Sequence, residues 1–248
     1  MRLCLVLVAL LLLVPFTAGS AKDEITKELI TVKGVTRAYY LYVPSTIKAP
    51  ATAPLILMLH GSGRRGMSLV EKWKDIAKKE GIILAGPDSS NIEGWRSPQD
   101  GPDYLHDLVE ELKSKYPINE RRVYLFGHSA GASFALHMSL MESEYFAATA
   151  IHAGALNSAD GRLFELAKRK IPISIQVGDR DQFFPLAAVR NTRDVLNARG
   201  FSIELIELPG HDHWYYDLAP KINRTAWDFL KTRTLEKEPH YEHYDFNR

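Results

Sequence analysis

Cysteine is almost absent from this 248-residue chain, with Cys4 the only one. A single thiol forms no internal disulfide, and past the first residues the chain has neither a thiolate nucleophile nor sulfur ligands for zinc. Blocks of like charge are also missing. The 31 Lys and Arg are interspersed among 30 Asp and Glu, giving a formal charge of +1. This excludes the basic footprint of a nucleic-acid binder or of a protein held on an anionic membrane. No internal repeat, low-complexity tract or interdomain linker interrupts the sequence, so one domain is expected, and 46% hydrophobic residues suffice for its core. Only one long apolar run exists, Leu3 to Phe16 behind Arg2, followed by the small residues Ala18, Gly19, Ser20 and Ala21. It falls short of the roughly 20 apolar residues of a spanning helix and has the grammar of a cleaved export signal. The reading is therefore a leader over residues 1–21, a secreted or periplasmic domain over 22–235 without stable membrane insertion, and a polar, aromatic tail over 236–248, packed on the surface or frayed from it.

What is present is an alternation of short apolar runs with amphipathic stretches. Ile25 to Lys33 and Thr36 to Val43, joined at Gly34, read as an opening hairpin. Six buried strands follow: Pro54 to His60, Ile82 to Ala85, Arg122 to Phe126, Ala147 to His152, Ile173 to Val177 and Ile203 to Leu208. Between them, Ser68 to Lys79, Asp103 to Lys115, Ala130 to Met141 and Leu186 to Arg199 carry apolar residues near helical spacing. This βαβ rhythm predicts an α/β fold, a mostly parallel eight-stranded sheet with helices on both faces.

The chemistry is concentrated at Gly127-His128-Ser129-Ala130-Gly131, between the strand VYLF and the helical start ASFALHM. G-x-S-x-G in a strand-turn-helix setting is the nucleophile elbow, in which glycines flank a serine projected above the sheet edge. Serine needs a base and an orienting carboxylate downstream, in the order Ser, Asp, His. Two carboxylates, Asp179 and Asp181, stand in the loop after ISIQV, and two histidines, His211 and His213, in the loop after IELIEL. Both loops leave C-terminal strand ends, where α/β sites form. The backbone N–H of Ala130 supplies one half of an oxyanion hole, and His60-Gly61-Ser62-Gly63, after PLILML, the other. His211, Asp212, His213, His240 and His243 are of metal-ligand type, but serine chemistry requires no metal, and neither metal nor cofactor is expected.

At these residues the chain resembles the α/β-hydrolases related to polyhydroxybutyrate depolymerases and feruloyl esterases. The likeness covers nearly all of the domain through TRAYYLYVP, LHGSG, Trp95, GHSAG, GDRDQFFP and GHDHWYY. The resemblance implies a Ser129, Asp181, His213 triad, because the family's acid stands in G-x-x-D four residues before a proline and its histidine about three residues after a glycine. It further implies that Ser62 shares the oxyanion hole with Ala130 and that Trp95 and Phe183 line the substrate pocket.

His152 and Asp160 stand only eight positions apart, which leaves no room for a large lid. The expected substrate is a small or polysaccharide-linked ester, with feruloyl, acetyl and short polyhydroxyalkanoate esters in view. A serine peptidase of the same fold, or a non-catalytic binding protein on a hydrolase scaffold, is the alternative.

Overall fold

The computed structural model describes residues 23–47 and 50–244, so the expected leader over residues 1–21 lies outside the described residues. The chain opens with β1 (Ile25–Val32), β2 (Val35–Tyr42) and β3 (Ala53–Leu59), then alternates through α1 (Met67–Glu80), β4 (Ile83–Pro87), α2 (Pro102–Lys115), β5 (Ile118–His128) and α3 (Ala130–Met141). It continues through β6 (Ala148–His152), a 3-10 turn at Ser158–Arg162, α4 (Leu163–Leu166), β7 (Ile173–Gly178), α5 (Leu186–Asn197), β8 (Ile203–Leu208) and α6 (Tyr215–Leu230). The strands form one sheet in the order β1-β2-β4-β3-β5-β6-β7-β8. β2 runs antiparallel to both β1 and β4, and the remaining neighbours are parallel. This is the mostly parallel eight-stranded sheet expected from the sequence.

Local chemistry explains the elements. Val32 and Val35 pair across a two-residue turn whose residues Lys33 and Gly34 have φ of 49° and 80°. Two positive φ values make the mirror-image turn whose twist suits a hairpin. In β3, APLILML, all seven residues are buried, as befits a parallel strand covered on both faces. Its alternate side chains serve two layers: Leu55, Leu57 and Leu59 pack with residues of α2, α3 and α5, whereas Ile56 and Met58 pack with those of α1 and α6. Each such side chain contributes about 1.5–3 kcal/mol on burial. β5 begins at Ile118, before the apolar run, because Ile118 pairs with Ala53 ahead of a register shift. The polar, half-buried residues 118–122 hid that extension from the apolar pattern.

The tail is docked as far as it is described. The Tyr241 ring stacks on His106 at 4.0 Å and its hydroxyl donates to Asp103, while the Tyr244 hydroxyl donates to Met141 O at 2.5 Å. The N–H of Glu242 donates to Glu142 Oε2 at 3.0 Å. Among the described residues no helix is long and apolar enough to cross a membrane.

Because β3 to β8 run parallel, their C-terminal ends share one edge of the sheet. The loops after β3, β5, β7 and β8 carry the residues singled out above.

Candidate active site

The turn after β5 is strained at one residue. Ser129 has φ 57° and ψ −121°, a region that non-glycine residues rarely occupy. Close packing of α3 on the sheet forces the strain. A Cβ on Gly127 would stand 2.3 Å from Gly131 O, and one on Gly131 would stand 1.9 Å from Leu59 O. The two glycines of the motif are therefore required by backbone approach, and the serine between them is held at the sheet edge. A Cβ on Gly61 would lie 3.2 Å from Ser129 Cβ, so the loop after β3 presses against the same serine.

That loop is braced from behind. Ser62 Oγ donates to Glu93 O at 2.8 Å and Gly63 N to Ile92 O at 2.8 Å. Trp95 donates its indole N–H to His60 O at 2.8 Å and stacks on Phe134 of α3, with ring centroids 5.3 Å apart. His60 accepts the Ser89 N–H at Nε2, and burial holds its pKa below the ordinary value. Ala130 is the first residue of α3, and the opening N–H groups of a helix have no intrahelical acceptor.

The loops after β7 and β8 are stitched together. Asp179 Oδ1 accepts Gly210 N at 2.7 Å, and Arg180 N donates to His211 O at 2.9 Å. Gly178 allows this approach, since a Cβ there would stand 2.1 Å from His211 O. Within this frame Asp181 Oδ1 accepts the N–H groups of Phe183 and Phe184 at 2.9 and 2.8 Å, which leaves Oδ2 to take His213 Nδ1–H at 2.8 Å. Ser129 Oγ–H donates to His213 Nε2 at 3.0 Å. Burial opposes ionisation of Asp181, but the hydrogen bond from His213 and those from Phe184 and Phe183 outweigh it and hold the carboxyl below its usual range. The Asp181 side chain is fully buried, that of His213 is 16% exposed, and Ser129 is partly open.

The structure thus brings together Ser129, His213 and Asp181, and sets the other two candidates to different work. Asp179 staples the loops, and the ring of His211 faces His152. Phe183 is 69% exposed with its ring 4.8 Å from that of His213, and Phe184 stacks on the same His213 ring at 5.8 Å. Asp212 accepts Trp214 N at 2.8 Å, which fixes the turn that aims His213. Sequence reasoning gave no part to Phe184, to Asp212 in this turn, or to the buried histidines His128 and His152. An Asp one residue before a candidate base was the only available signal, and it reads equally as a solvated surface residue. A cavity of about 360 Å³ lined by Arg37, Tyr104 and Pro98 among others lies on the β1–β2 flank, and none of Ser129, Asp181 and His213 lines it.

Comparisons with known proteins agree on the setting. A bifunctional acetylxylan esterase/xylanase of Neocallimastix patriciarum is 27% identical over 151 residues, covering 58% of this chain and 21% of that protein. NocK of Nocardia uniformis subsp. tsuyamanensis is 29% identical over 174 residues, covering 64% of this chain and 49% of that protein. The chain thus spans about a fifth and about half of the lengths of these relatives. A solved ferulic acid esterase superimposes with a TM-score of 0.69 at 13% identity, over 84% of this chain and 98% of the other, which shows the α/β-hydrolase fold. The dienelactone hydrolase family model matches residues 93–227, more than half of the chain, and takes in the elbow, the acid loop and the histidine loop. The chain belongs to the dienelactone hydrolase family.

Proposed function

We propose that this protein is a serine carboxylesterase acting through an acyl-enzyme on small or carbohydrate-linked esters. The observation that carries the reading is the row Asp181, His213, Ser129, with a buried acid, a partly covered base and a strained, partly open nucleophile. In this reading His213 Nε2 takes the Ser129 proton as Oγ attacks the ester carbonyl. Asp181 fixes the Nδ1–H tautomer and stabilises the imidazolium that forms. The backbone N–H groups of Ala130 and Ser62 receive the developing oxyanion, and removing one such donor typically costs about 10²–10³ in kcat. His213 then returns its proton to the departing alcohol, and water repeats the sequence to release the acid.

Trp95 holds the oxyanion loop through His60, and Phe183 forms one wall beside the base. The short connection after β6 leaves this edge uncovered by a large lid, which suits esters carried on bulky alcohols such as polysaccharides. The acetylxylan esterase relative and the ferulic acid esterase neighbour support acetyl and feruloyl groups as the acyl part. Export behind a leader at residues 1–21 belongs to the same reading, and N-terminal sequencing of the protein from its native host checks it.

The test compares the wild type with Ser129→Ala on p-nitrophenyl acetate and butyrate, methyl ferulate and an aminoacyl p-nitroanilide. The expected result is ester turnover that falls by about 10⁶ in the variant. Turnover of the anilide alone would replace the esterase with a peptidase, and undiminished ester turnover by Ser129→Ala would sink the mechanism.

A further inference from the structure

Three imidazoles that the proposed mechanism leaves unused lie under its three working residues. His128 ends β5, His152 ends β6 as its register partner, and His211 lies in the loop after β8. Their residue exposures are 4%, 0% and 7%. His128 Nδ1 lies 3.1 Å from His152 Nδ1, and His152 Nε2 lies 3.2 Å from His211 Nε2. Contacts this short between ring nitrogens require one proton in each. Three neutral imidazoles carry three N–H protons, so two fill the contacts and the third sits at an outer nitrogen, His128 Nε2 or His211 Nδ1. The protons of the three rings are therefore set together.

The ends of this chain touch the proposed machinery. His128 immediately precedes Ser129, and its ring lies 5.1 Å from that of His213. His211 is two residues before His213, and its carbonyl accepts the N–H of Arg180, the residue before Asp181. Tyr215 of α6 covers the chain from the other layer, 5.3 Å from His128 and 5.8 Å from His152, and Tyr216 stands edge-on to His128. The charged or chargeable groups facing it are His213 and Asp181. Apolar side chains would fill this space without the penalty of a buried polar atom left unpaired. What imidazoles add is directional bonding between three strand ends.

We propose that His128, His152 and His211 act as a positioning chain that holds the nucleophile, acid and base loops in one register, with His152 as its central link. The proposal rests on the esterase reading for its kinetic consequence. Burial first, and then the neighbouring imidazoles, keep His152 well below the ordinary histidine pKa, so the central link of the chain is neutral.

The test is a pair of substitutions at His152, measured near pH 8, well above the range in which His128 and His152 take up a proton. Gln offers a donor group and an acceptor group side by side, as neutral imidazole does, whereas Leu fills the space and offers neither. In His152→Leu, kcat falls about tenfold or more with KM nearly unchanged, as expected when a base drifts from its working geometry. His152→Gln recovers most of that loss. A merely space-filling role predicts the opposite order, with Leu at least as good as Gln. Wild-type kcat in a folded His152→Leu variant, or equal impairment in both, would overturn the proposal. If His152→Leu does not fold, His211→Leu cuts the chain at its other end and carries the same expectation. A readout independent of turnover is the imidazole proton spectrum. The downfield His213 Nδ1–H signal is lost or broadened in the Leu variant and kept in the Gln variant. Should Ser129→Ala hydrolyse esters like the wild type, the esterase reading fails separately. The chain is then judged by this spectrum, and a His213 signal unchanged in His152→Leu overturns it.

Discussion

Acidification to about pH 4.5 should destabilise the folded chain by on the order of 3 kcal/mol through His128 alone. Burial first, and the nearby His213 second, push His128 down from 6.5 to about 3. Between those values the unfolded chain binds a proton that the folded chain refuses, so stability is present above 6.5 and drains away as pH falls. At about pH 4.5 the unfolded imidazole lies two pH units below its own pKa, and at 1.36 kcal/mol per unit this gives about 2.7 kcal/mol. That is a large part of the 5–15 kcal/mol typical of a domain. The assay is urea unfolding of the wild type and His128→Gln at several pH values from about 7 to 4.5. The carboxylates titrate in both proteins and cancel in the comparison, whereas His152, in contact with His128, responds together with it. The wild-type midpoint should fall further than that of the variant by about 1 M urea, given a slope of 1–3 kcal/mol/M. Parallel midpoints across the whole range would refute the claim that His128 is held neutral by burial.

Glu142 should act at the other end of the pH scale. Burial raises it from 4.5 to about 8, so its destabilising ionisation grows as pH rises through that interval, and Glu142→Gln should gain on the order of 3 kcal/mol over the wild type at pH 8 but little near pH 5. Equal gains at both pH values in urea unfolding would contradict this. Asp181→Asn should lower kcat about 10⁴-fold without loss of fold, while Asp179→Ala should leave kcat within about threefold and cost about 1 kcal/mol by removing the hydrogen bond from Gly210 N–H. Steady-state kinetics with the reverse pattern would move the acid to Asp179. Gly131→Ala drives a Cβ to 1.9 Å from Leu59 O and should cost about 3 kcal/mol or more; an unchanged Tm would disprove that close approach. Trp95→Phe keeps the ring but drops the N–H to His60 O, and should reduce kcat more than it changes KM.

The parts legible in the sequence were those with local signatures. Each buried strand announced itself as an apolar run, and the elbow needed only five residues and its flanking elements. Asp181 and His213 were separable from Asp179 and His211 only through the family pattern, since each pair shares a loop and a residue type. The structure separates them by what their side chains meet: Gly210 N–H for Asp179, and the His152 ring for His211. The histidine chain was invisible for a related reason. Nothing in residues 128, 152 and 211 taken singly says that β5 and β6 end side by side and that the loop after β8 folds back over them. The part Trp95 plays as a brace depends likewise on a carbonyl 35 positions away, which no periodicity records.

The backbone of Ser129 suggests how selection acts on this molecule. At φ 57° and ψ −121° a side chain is unwelcome and glycine is at home. Residues held in such regions cost about 1–3 kcal/mol each, so Ser129→Gly should make a protein that is sturdier than the wild type and inert. In the proposed reading, then, the residue that carries the reaction sits where the fold by itself would discard it. A screen for thermal resistance without a screen for turnover would be expected to delete the proposed nucleophile.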